Sequence, residues 1–593
     1  MTQEKRGTQF YDIEVFSRDS LVVFRDGETG KTEHFWSVRE PDSRENGFEP
    51  ITERIRGKTL AGYNNYHYDD LILYAMICGA PQTRIREISD DILRGENMKV
   101  FSDIASRHFD VLSVTTLDCM QQIDVSCPSL KKIEGNMGRS IVESPIPFDI
   151  DRPLTDGERE EVLRYCSYDA ESTEKIYDLR RESYFDVKES LISMEGTNRC
   201  RKWNTTTISA NILLNRSQKP WMTLRVPERL WRNVPAIPDE VWKMWEDHSW
   251  YGCGDGKGKS VTVREFGCDM TFGLGGLHGA NSTKNVFGHV ILLDVASMYP
   301  SIIIGLNALG KGTEKYRKIR DERVQLKRTD PARAKAMKLI LNSVYGSMKN
   351  TYSGLYNPMA ASTVCIYGQI ALADLCGRLY DAGYMIVNVN TDGVAFTDVS
   401  GAGEDYRFLW MEWEDDYGLS LEKEEFDSWI QKDVNNYIAR QGDRIKTKGG
   451  DCCRYQSDSF FSCNDARIVQ MALVDRILFG KDPVRTITEN LDRPILYQYV
   501  LKAGGSFLGT CDGSGVLRQK VNRVFAAAEG ADGITKLYKL RPDGSKVNFP
   551  GAPERMVVYN GDMNGYTDLR RVADVDHYYQ VVSRELEGWN RIA

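Results

Sequence analysis

Asp294 closes the apolar run of "GHVILLDVASMYPSIII" (288–304), and Asp392 stands in "VNVNTDGVAFT" (387–397). Around Asp392, apolar residues alternate up to a short polar turn and an apolar strand leaves it. This is the pattern of a β-hairpin with a carboxylate at its tip. Asn390 and Gly393 also have an ordinary reading, as turn residues of positive φ. Asp294, at the exit of a buried strand, is either a cap for the next turn or a rigid ligand facing a cleft. As a pair, the two acids suit Mg²⁺, which takes few protein carboxylates and fills its shell with water and phosphate. Two such ions about 4 Å apart would clamp the attacking and leaving oxygens of an in-line phosphoryl displacement.

A second constellation lies near the N-terminus. Asp12 and Glu14 in "TQFYDIEVF" are two apart on a strand, so both side chains leave one face. Asn65 and Asp69 in "GYNNYHYDDLIL" fall at i and i+4 as a helix begins, and Tyr165 and Asp169 in "LRYCSYDAEST" are one helical turn apart. The set offers four carboxylates for two metals and a tyrosine to orient water, which suits hydrolytic phosphodiester cleavage.

The elements between Asp294 and Asp392 fit phosphate chemistry. Residues 311–349 hold twelve Lys or Arg against four Asp or Glu, in a chain whose formal charge is −8. Arg320, Arg323 and Lys327 fall on one face of a first helix. "TDP" (329–331) stops that helix and starts another, with Asp330 as N-cap and Pro331 at N1. On the second helix Lys338, Asn342 and Tyr345 share a face that runs into a break at Gly346. "GLGGLHGAN" (273–281) is too Gly-rich for a packed element and lets backbone approach a phosphate. There His278 is either a phosphate donor or a plain hydrogen-bonded histidine. "NNYIARQGDRIKTKGG" (435–450) reads as a hairpin turning at "QGD", with Lys446 and Lys448 on one side.

The 593 residues are too many for one core and suggest about three to five domains. Hydrophobic residues at 41% and charged residues at 27% are ordinary for a soluble protein. Thirteen cysteines without a CxxC pair give no zinc site and no disulfide framework. The N-terminus lacks an apolar signal core, and no apolar run approaches the ~18 residues that span a bilayer. Turn-rich seams are expected near 145–156, 252–259 and 542–552. Towards the C-terminus, "DGITKLYKLRPDGSKVNF" reads as a hairpin and "DVDHYYQVVSRELEGW" as an amphipathic helix.

These stretches resemble family B DNA polymerases. "DVASMYPSII" is similar to their DxxSLYPSII motif, "KLILNSVYG" to KxxxNSxYG at each fixed position, and "NTDGV" stands where DTDS is expected. The N-terminal set is similar to the three exonuclease motifs DxE, Nx₂(F/Y)D and YxxxD, in chain order. The resemblance covers most of the chain and is closest to compact bacteriophage members.

The resemblance implies an α/β multidomain protein. It comprises an RNase H-like DEDD exonuclease domain (1–195) and a right-hand polymerase. The palm covers 196–305 and 351–450, the fingers hairpin 306–350, and the thumb and C-terminal region 451–593. Asp294 and Asp392, with the Val295 carbonyl, would hold two Mg²⁺ ions, for which Mn²⁺ can substitute. Lys338, with Arg320 and Arg323, would neutralise the β- and γ-phosphates, and Ser297 and Met298 belong to a turn whose amides face them. Tyr299 resembles the steric gate against a 2′-OH, and Asn342 and Tyr345 would pack on the nascent base pair. Asp12, Glu14, Asp69 and Asp169 would bind the exonuclease metals, Tyr165 would place the water, and Asn65 and Tyr68 would contact the strand. A basic residue often found before the third exonuclease motif falls on Lys131 or Lys132, undecided. Gly275, Gly276 and His278 resemble a template-contacting Gly-rich motif, and Lys446 and Lys448 a KxKG element that grips primer DNA. Asn390, near the primer end, replaces the first Asp of DTDS and removes a charge beside the metals, and Gly393 removes a hydroxyl.

The expected activity is dNTP addition to a primer 3′-OH with 3′–5′ proofreading, in phage genome replication. The expected partners are primer–template DNA, dNTPs and phage or host replication proteins, with no membrane. The expected state is a cytoplasmic monomer in an infected bacterial cell. Spacings of 44 and 54 residues between positions 294, 338 and 392 leave little room for the insertions of protein-primed members. The principal alternative is a 3′–5′ exonuclease whose polymerase half is a DNA-binding scaffold. A noncatalytic replication-assembly protein is a third reading, and it must explain six acids kept at two metal sites.

Overall fold

The computed structural model describes residues 7–38, 48–95, 114–123, 127–144, 146–197, 200–214, 237–246, 259–456, 459–461 and 465–589. The chain is a multidomain α/β protein that divides into two compact units. One comprises Met1–Asn204, Ser459–Ala466 and Asn490–Asp574, the other Thr205–Asp458, Arg467–Glu489 and Val575–Ala593. Residues 451–593, expected as one region, are therefore shared between the two. Of the expected seams, 145–156 and 542–552 lie inside the first unit, while 252–258 lies outside the described residues.

In the first unit a five-stranded sheet has the order β3-β2-β1-β4-β5, from β1 (Thr8–Val15), β2 (Asp19–Asp26), β3 (Thr32–Val38), β4 (Thr59–Gly62) and β5 (Thr115–Asp118). The first three strands pair antiparallel, and β4 and β5 run parallel to β1. β1 is covered on both faces. Tyr11, Ile13 and Val15 pack with Leu71 and Ile72 of the Asp69–Ile77 helix. Phe10 packs with Ile176 and Tyr177 of the Asp156–Arg180 helix. Asp12 and Glu14 share the Phe10 face by the two-residue repeat. The long helix starts at a capping box, with Thr155 and Glu158 bonded reciprocally.

The C-terminal segment is tied into this unit by buried polar contacts. The fully buried Arg523 guanidinium donates to Gln498 Oε1 and to the carbonyls of Gly135, Arg139 and Gly561. Strand-to-loop pairing adds Ile141 N to Asn560 O at 2.8 Å. The "PDGS" stretch turns between paired strands Tyr538–Leu540 and Lys546–Asn548, as its sequence suggests.

The second unit holds a seven-stranded, wholly antiparallel sheet, in which β6 (Val261–Glu265), β7 (Cys268–Gly273), β8 (Gly276–Asn281), β10 (Val290–Val295), β11 (Tyr384–Asn390), β12 (Gly393–Asp398) and β13 (Leu421–Phe426) are ordered β13-β10-β12-β11-β8-β7-β6. A smaller sheet adds β9 (Val286–Phe287), β14 (Ser428–Gln431), β15 (Tyr437–Gln441) and β16 (Arg444–Lys448). The Gly-rich stretch is not an unpacked segment. It forms the β7–β8 turn and strand β8, paired on both sides, so ladder hydrogen bonds override its low strand propensity. A Cβ at Gly279 would come within 2.3 Å of Met270 Sδ, so a larger residue there would force that side chain to move.

Helices Thr313–Thr329 and Pro331–Lys349 form the expected hairpin. Asp330 caps the second by accepting from Arg333 N at 3.0 Å. Tyr316 Oη donates to Leu341 O at 2.7 Å, and Arg333 pairs with Glu322 at 2.7 Å, across the hairpin. The second helix continues through Gly346 to Lys349, where the sequence suggested a break. One further expectation is corrected. Helix Pro358–Asp381 is long and apolar enough to cross a membrane, but 83% of its most apolar stretch is buried inside the protein. Its apolar character is that of a core helix: Trp413 Nε1 donates to Ala371 O and Gln369 Nε2 to Gly273 O.

Candidate active sites

In the second unit β10 lies beside β12, with Asp294 opposite Gly393. The hairpin tip reaches across to the strand end, where Val295 N donates to Asp392 O at 2.7 Å. Two acids distant in sequence thus stand at one sheet end, close enough for the Asp392 charge to act on Asp294. Burial, then the Asp392 charge, push Asp294 up to about 6, while Lys446 opposes the shift. Burial also raises Asp392, against a backbone hydrogen bond and Lys448. Both lysines expected to grip DNA therefore also bear on the acid pair. Lys446 is engaged by Glu424, a partner the sequence did not suggest.

The turn differs from its sequence reading. Neither Asn390 nor Gly393 has positive φ; Thr391 does, at 59°. A β-branched residue there is strained. It is held by donation from its N to Leu277 O at 2.9 Å and by its hydroxyl against His278 Nε2 at 3.1 Å. His278 is hydrogen-bonded here, and its burial lowers its pKa. Gly393 serves packing: a Cβ there would fall 2.2 Å from Asp294 Oδ1. Asn390 uses its amide locally, donating to Val434 O at 3.3 Å and accepting from Thr391 Oγ1 at 3.2 Å.

Ser297 occupies the left-handed region (φ 52°, ψ 47°) as N-cap of the Met298–Gly305 helix, which turns Tyr299 toward the Gly-rich turn. Tyr299 and Tyr345 lie with ring centres 4.5 Å apart. Tyr299 Oη donates to Gly275 O at 3.3 Å, and Tyr345 Oη to Leu274 O at 2.9 Å. Gly276 has φ 133°, and a Cβ there would press on Tyr299 Oη and Thr391 Cα. Met298 is buried, and a Cβ on Gly368 would come within 2.9 Å of its Cε. Lys338 and Asn342 are exposed on the Tyr345 face of their helix. Arg320 is paired with its neighbour Asp321 at 2.9 Å. Gln369, Cys365 and Lys349 were missed: they lie outside the recognisable motifs, and only the folded chain brings them to the Gly-rich turn.

In the first unit, carboxylate oxygens of Asp12, Glu14 and Asp169 lie within 4.8 Å of one another. Asp69 stands outside that trio. It begins a helix packed on the opposite face of β1, although its charge is felt by Glu14. Burial, then Asp169, push Asp12 up to about 8. Glu14 is raised by burial, then by Asp12, and Asp69 likewise. Lys131 bonds directly to Asp169 and sits 4.4 Å from the Tyr165 ring centre, while Lys132 donates to the Val500 carbonyl. Burial works to lower the Lys131 pKa, but Asp169 and Glu134 outweigh it and raise it. The structure thereby separates two residues that the sequence left undecided.

Asn65 lies in a 3₁₀ turn (Asn65–His67), not on the Asp69 helix. It is fully buried and donates to Asp70 Oδ1 at 3.0 Å. Asp70, unremarked in the sequence, also receives Tyr11, Thr116 and Lys202. Tyr68 is bonded to Ser89 at 2.7 Å.

Both acid groups fit divalent cations. In the first unit Asp12 Oδ2 is buried without a hydrogen-bond partner beside two further carboxylates, an arrangement that a cation would satisfy. In the second, burial raises both Asp294 and Asp392, and the Asp392 charge raises Asp294 further, so a cation between them would relieve both.

No family model and no curated protein matches the chain. Among solved structures it is similar to the family B DNA polymerase from the hyperthermophilic archaeon Pyrobaculum calidifontis. That match has 15% identity and a TM-score of 0.43, and covers 99% of this chain and 78% of that chain.

Proposed function

We propose that the chain is a template-directed DNA polymerase with a 3′–5′ exonuclease. The carrying observation is the meeting of Asp294 and Asp392 at one sheet end, in a unit that also pairs the Tyr299 and Tyr345 rings. The sequence motifs at those positions support it. On this reading the second unit contains palm and fingers, and the five-stranded sheet of the first is the RNase H-like exonuclease.

Asp294 and Asp392, with the Val295 carbonyl, would hold the metals of synthesis, and Asp12, Glu14 and Asp169 those of excision, with Asp69 completing the second set. Bound divalent cations supply charge that stabilises the oxygens exchanged at phosphorus. The protein's own groups do the rest. Lys338 and Arg323 meet the departing phosphates, and charge-assisted hydrogen bonds are strongest toward such oxygens. Tyr299, fixed from the Gly275 side, closes the space where a 2′-OH would stand. Tyr345 and Asn342 face the nascent pair. At the exonuclease, Lys131 holds Asp169 in place, and Tyr165 orients the water. DNA lies along Lys446 and Lys448.

Primer extension with one complementary dNTP tests the reading. Asp392→Ala is expected to abolish extension, and near-normal extension by that variant would sink the metal assignment. A parent protein that degrades primers but never extends them would favour the exonuclease-scaffold alternative.

A further inference from the structure

Three consecutive carbonyls at the β7–β8 turn are each taken by side chains from other elements of the second unit. Gly273 O accepts from Gln369 Nε2 at 2.9 Å, and Gly275 O from Tyr299 Oη at 3.3 Å. Leu274 O accepts twice, from Tyr345 Oη at 2.9 Å and from Lys349 Nζ at 2.7 Å. The Lys349 ammonium also stands 4.1 Å from the centre of the Tyr345 ring. One side chain therefore touches both the ring of Tyr345 and the carbonyl that fixes its hydroxyl.

Lys349 ends its helix, one turn beyond Tyr345. A cation is favoured at a helix C-terminus and at i+4 from an aromatic ring. Here it reaches further, to the backbone of a strand turn 75 residues away in sequence. The turn has little room to move toward the gate, because Gly276 already lies against Tyr299 and Thr391.

We propose that Lys349 is a positioning residue that pins the Gly-rich turn to the end of the basic hairpin, and so sets where the Tyr299–Tyr345 pair meets the incoming sugar. This rests on the polymerase reading. Without Lys349, Leu274 O keeps a single donor, and the Tyr345 ring loses the cation that biases its tilt. Rings that are free to shift should hold the sugar less closely. That weakens ground-state binding and sugar discrimination more than the chemical step.

Lys349→Met keeps the aliphatic length and removes donor and charge. It is expected to raise the dNTP KM about 5- to 10-fold and to lower the preference for dNTP over rNTP by a similar factor, with kcat within about twofold. Lys349→Arg, which keeps a cation and donors, should restore both. Amide hydrogen exchange across Gly275–Leu277 should quicken in the Met variant and return to the parent rate in the Arg variant. In a parent that extends primers, unchanged KM and sugar preference in Lys349→Met overturn the inference, as does failure of Arg to rescue. If the parent extends no primer, the polymerase reading has failed, and the exchange measurement decides alone: equal rates in parent and Lys349→Met overturn the pinning.

Discussion

At the scale of the residue, the site turns on atoms that a motif does not display. Gly393 looks like turn chemistry, yet its φ is not positive, and its missing Cβ makes room for Asp294 Oδ1. Gly393→Ala should leave the fold intact and lower extension by about 100-fold or more, because displacing a reacting group by ~1 Å costs that much. Steady-state primer extension with thermal unfolding as control checks this; full activity would show that Asp294 relaxes freely. Asn390 donates to Val434 O, which an aspartate cannot do. Asn390→Asp is therefore expected to destabilise the second unit by about 1–2 kcal/mol, by setting a carboxylate against a carbonyl. Its Mg²⁺ or Mn²⁺ requirement and its extension-to-excision ratio should also shift. A denaturation midpoint and a metal titration that both match the parent would reduce Asn390 to a spacer.

At the scale of the element, β1 carries two acids on one face into a pocket already holding Asp169. This arrangement costs stability. Asp12 has a folded pKa raised to about 8, against roughly 3.9 in an unfolded chain. The folded form therefore binds more protons between those values. The stability this group contributes is fully present below about pH 4 and is lost as pH rises through about 8. In the absence of metal, Asp12→Asn should unfold about 2–4 °C higher than the parent at pH 8, and much closer to it at pH 5. Mg²⁺ should narrow the difference at pH 8 by stabilising the parent. Calorimetry in chelator and in Mg²⁺ reads all three, and an Asn variant less stable than the parent at pH 8 in chelator would contradict the burial argument. The Leu130–Asn136 helix shows why elements matter: adjacent lysines point about 100° apart on a helix, so Lys131 reaches Asp169 while Lys132 reaches the Val500 carbonyl.

At the scale of the molecule, each acid group lies wholly within its own compact unit, with its own sheet and core. Substitutions in one unit should then leave the other chemistry standing. Asp12→Ala with Glu14→Ala is expected to remove 3′–5′ degradation of single-stranded primer by at least about 100-fold while extension proceeds, and Asp294→Ala the reverse. Parallel extension and degradation assays on the same preparations check this. Joint loss of both activities in either variant would mean that the units do not act independently. The C-terminal segment is the other whole-molecule feature: Arg523 and its carbonyl partners commit 490–574 to the first unit, which no local pattern announces.

The sequence alone carries what short-range chemistry can encode. It specified the Asp392 hairpin, the Asp330–Pro331 start of the second basic helix, the same-face placement of Asp12 and Glu14, the Lys446 hairpin and the terminal helix, because turn residues, caps and two- or four-residue periods act within a few positions. Long-range packing settled that residues 276–281 of "GLGGLHGAN" form a strand, that Thr391 rather than Asn390 takes the strained turn position, that Lys131 rather than Lys132 meets the acids, and that Asn65 lies buried against Asp70. The first three depend on a partner far away in the chain: a neighbouring ladder, a carboxylate that needs room, a pocket on one side of a helix. Local propensities differ by about 1 kcal/mol or less, and such long-range packing and hydrogen bonding readily outweigh them.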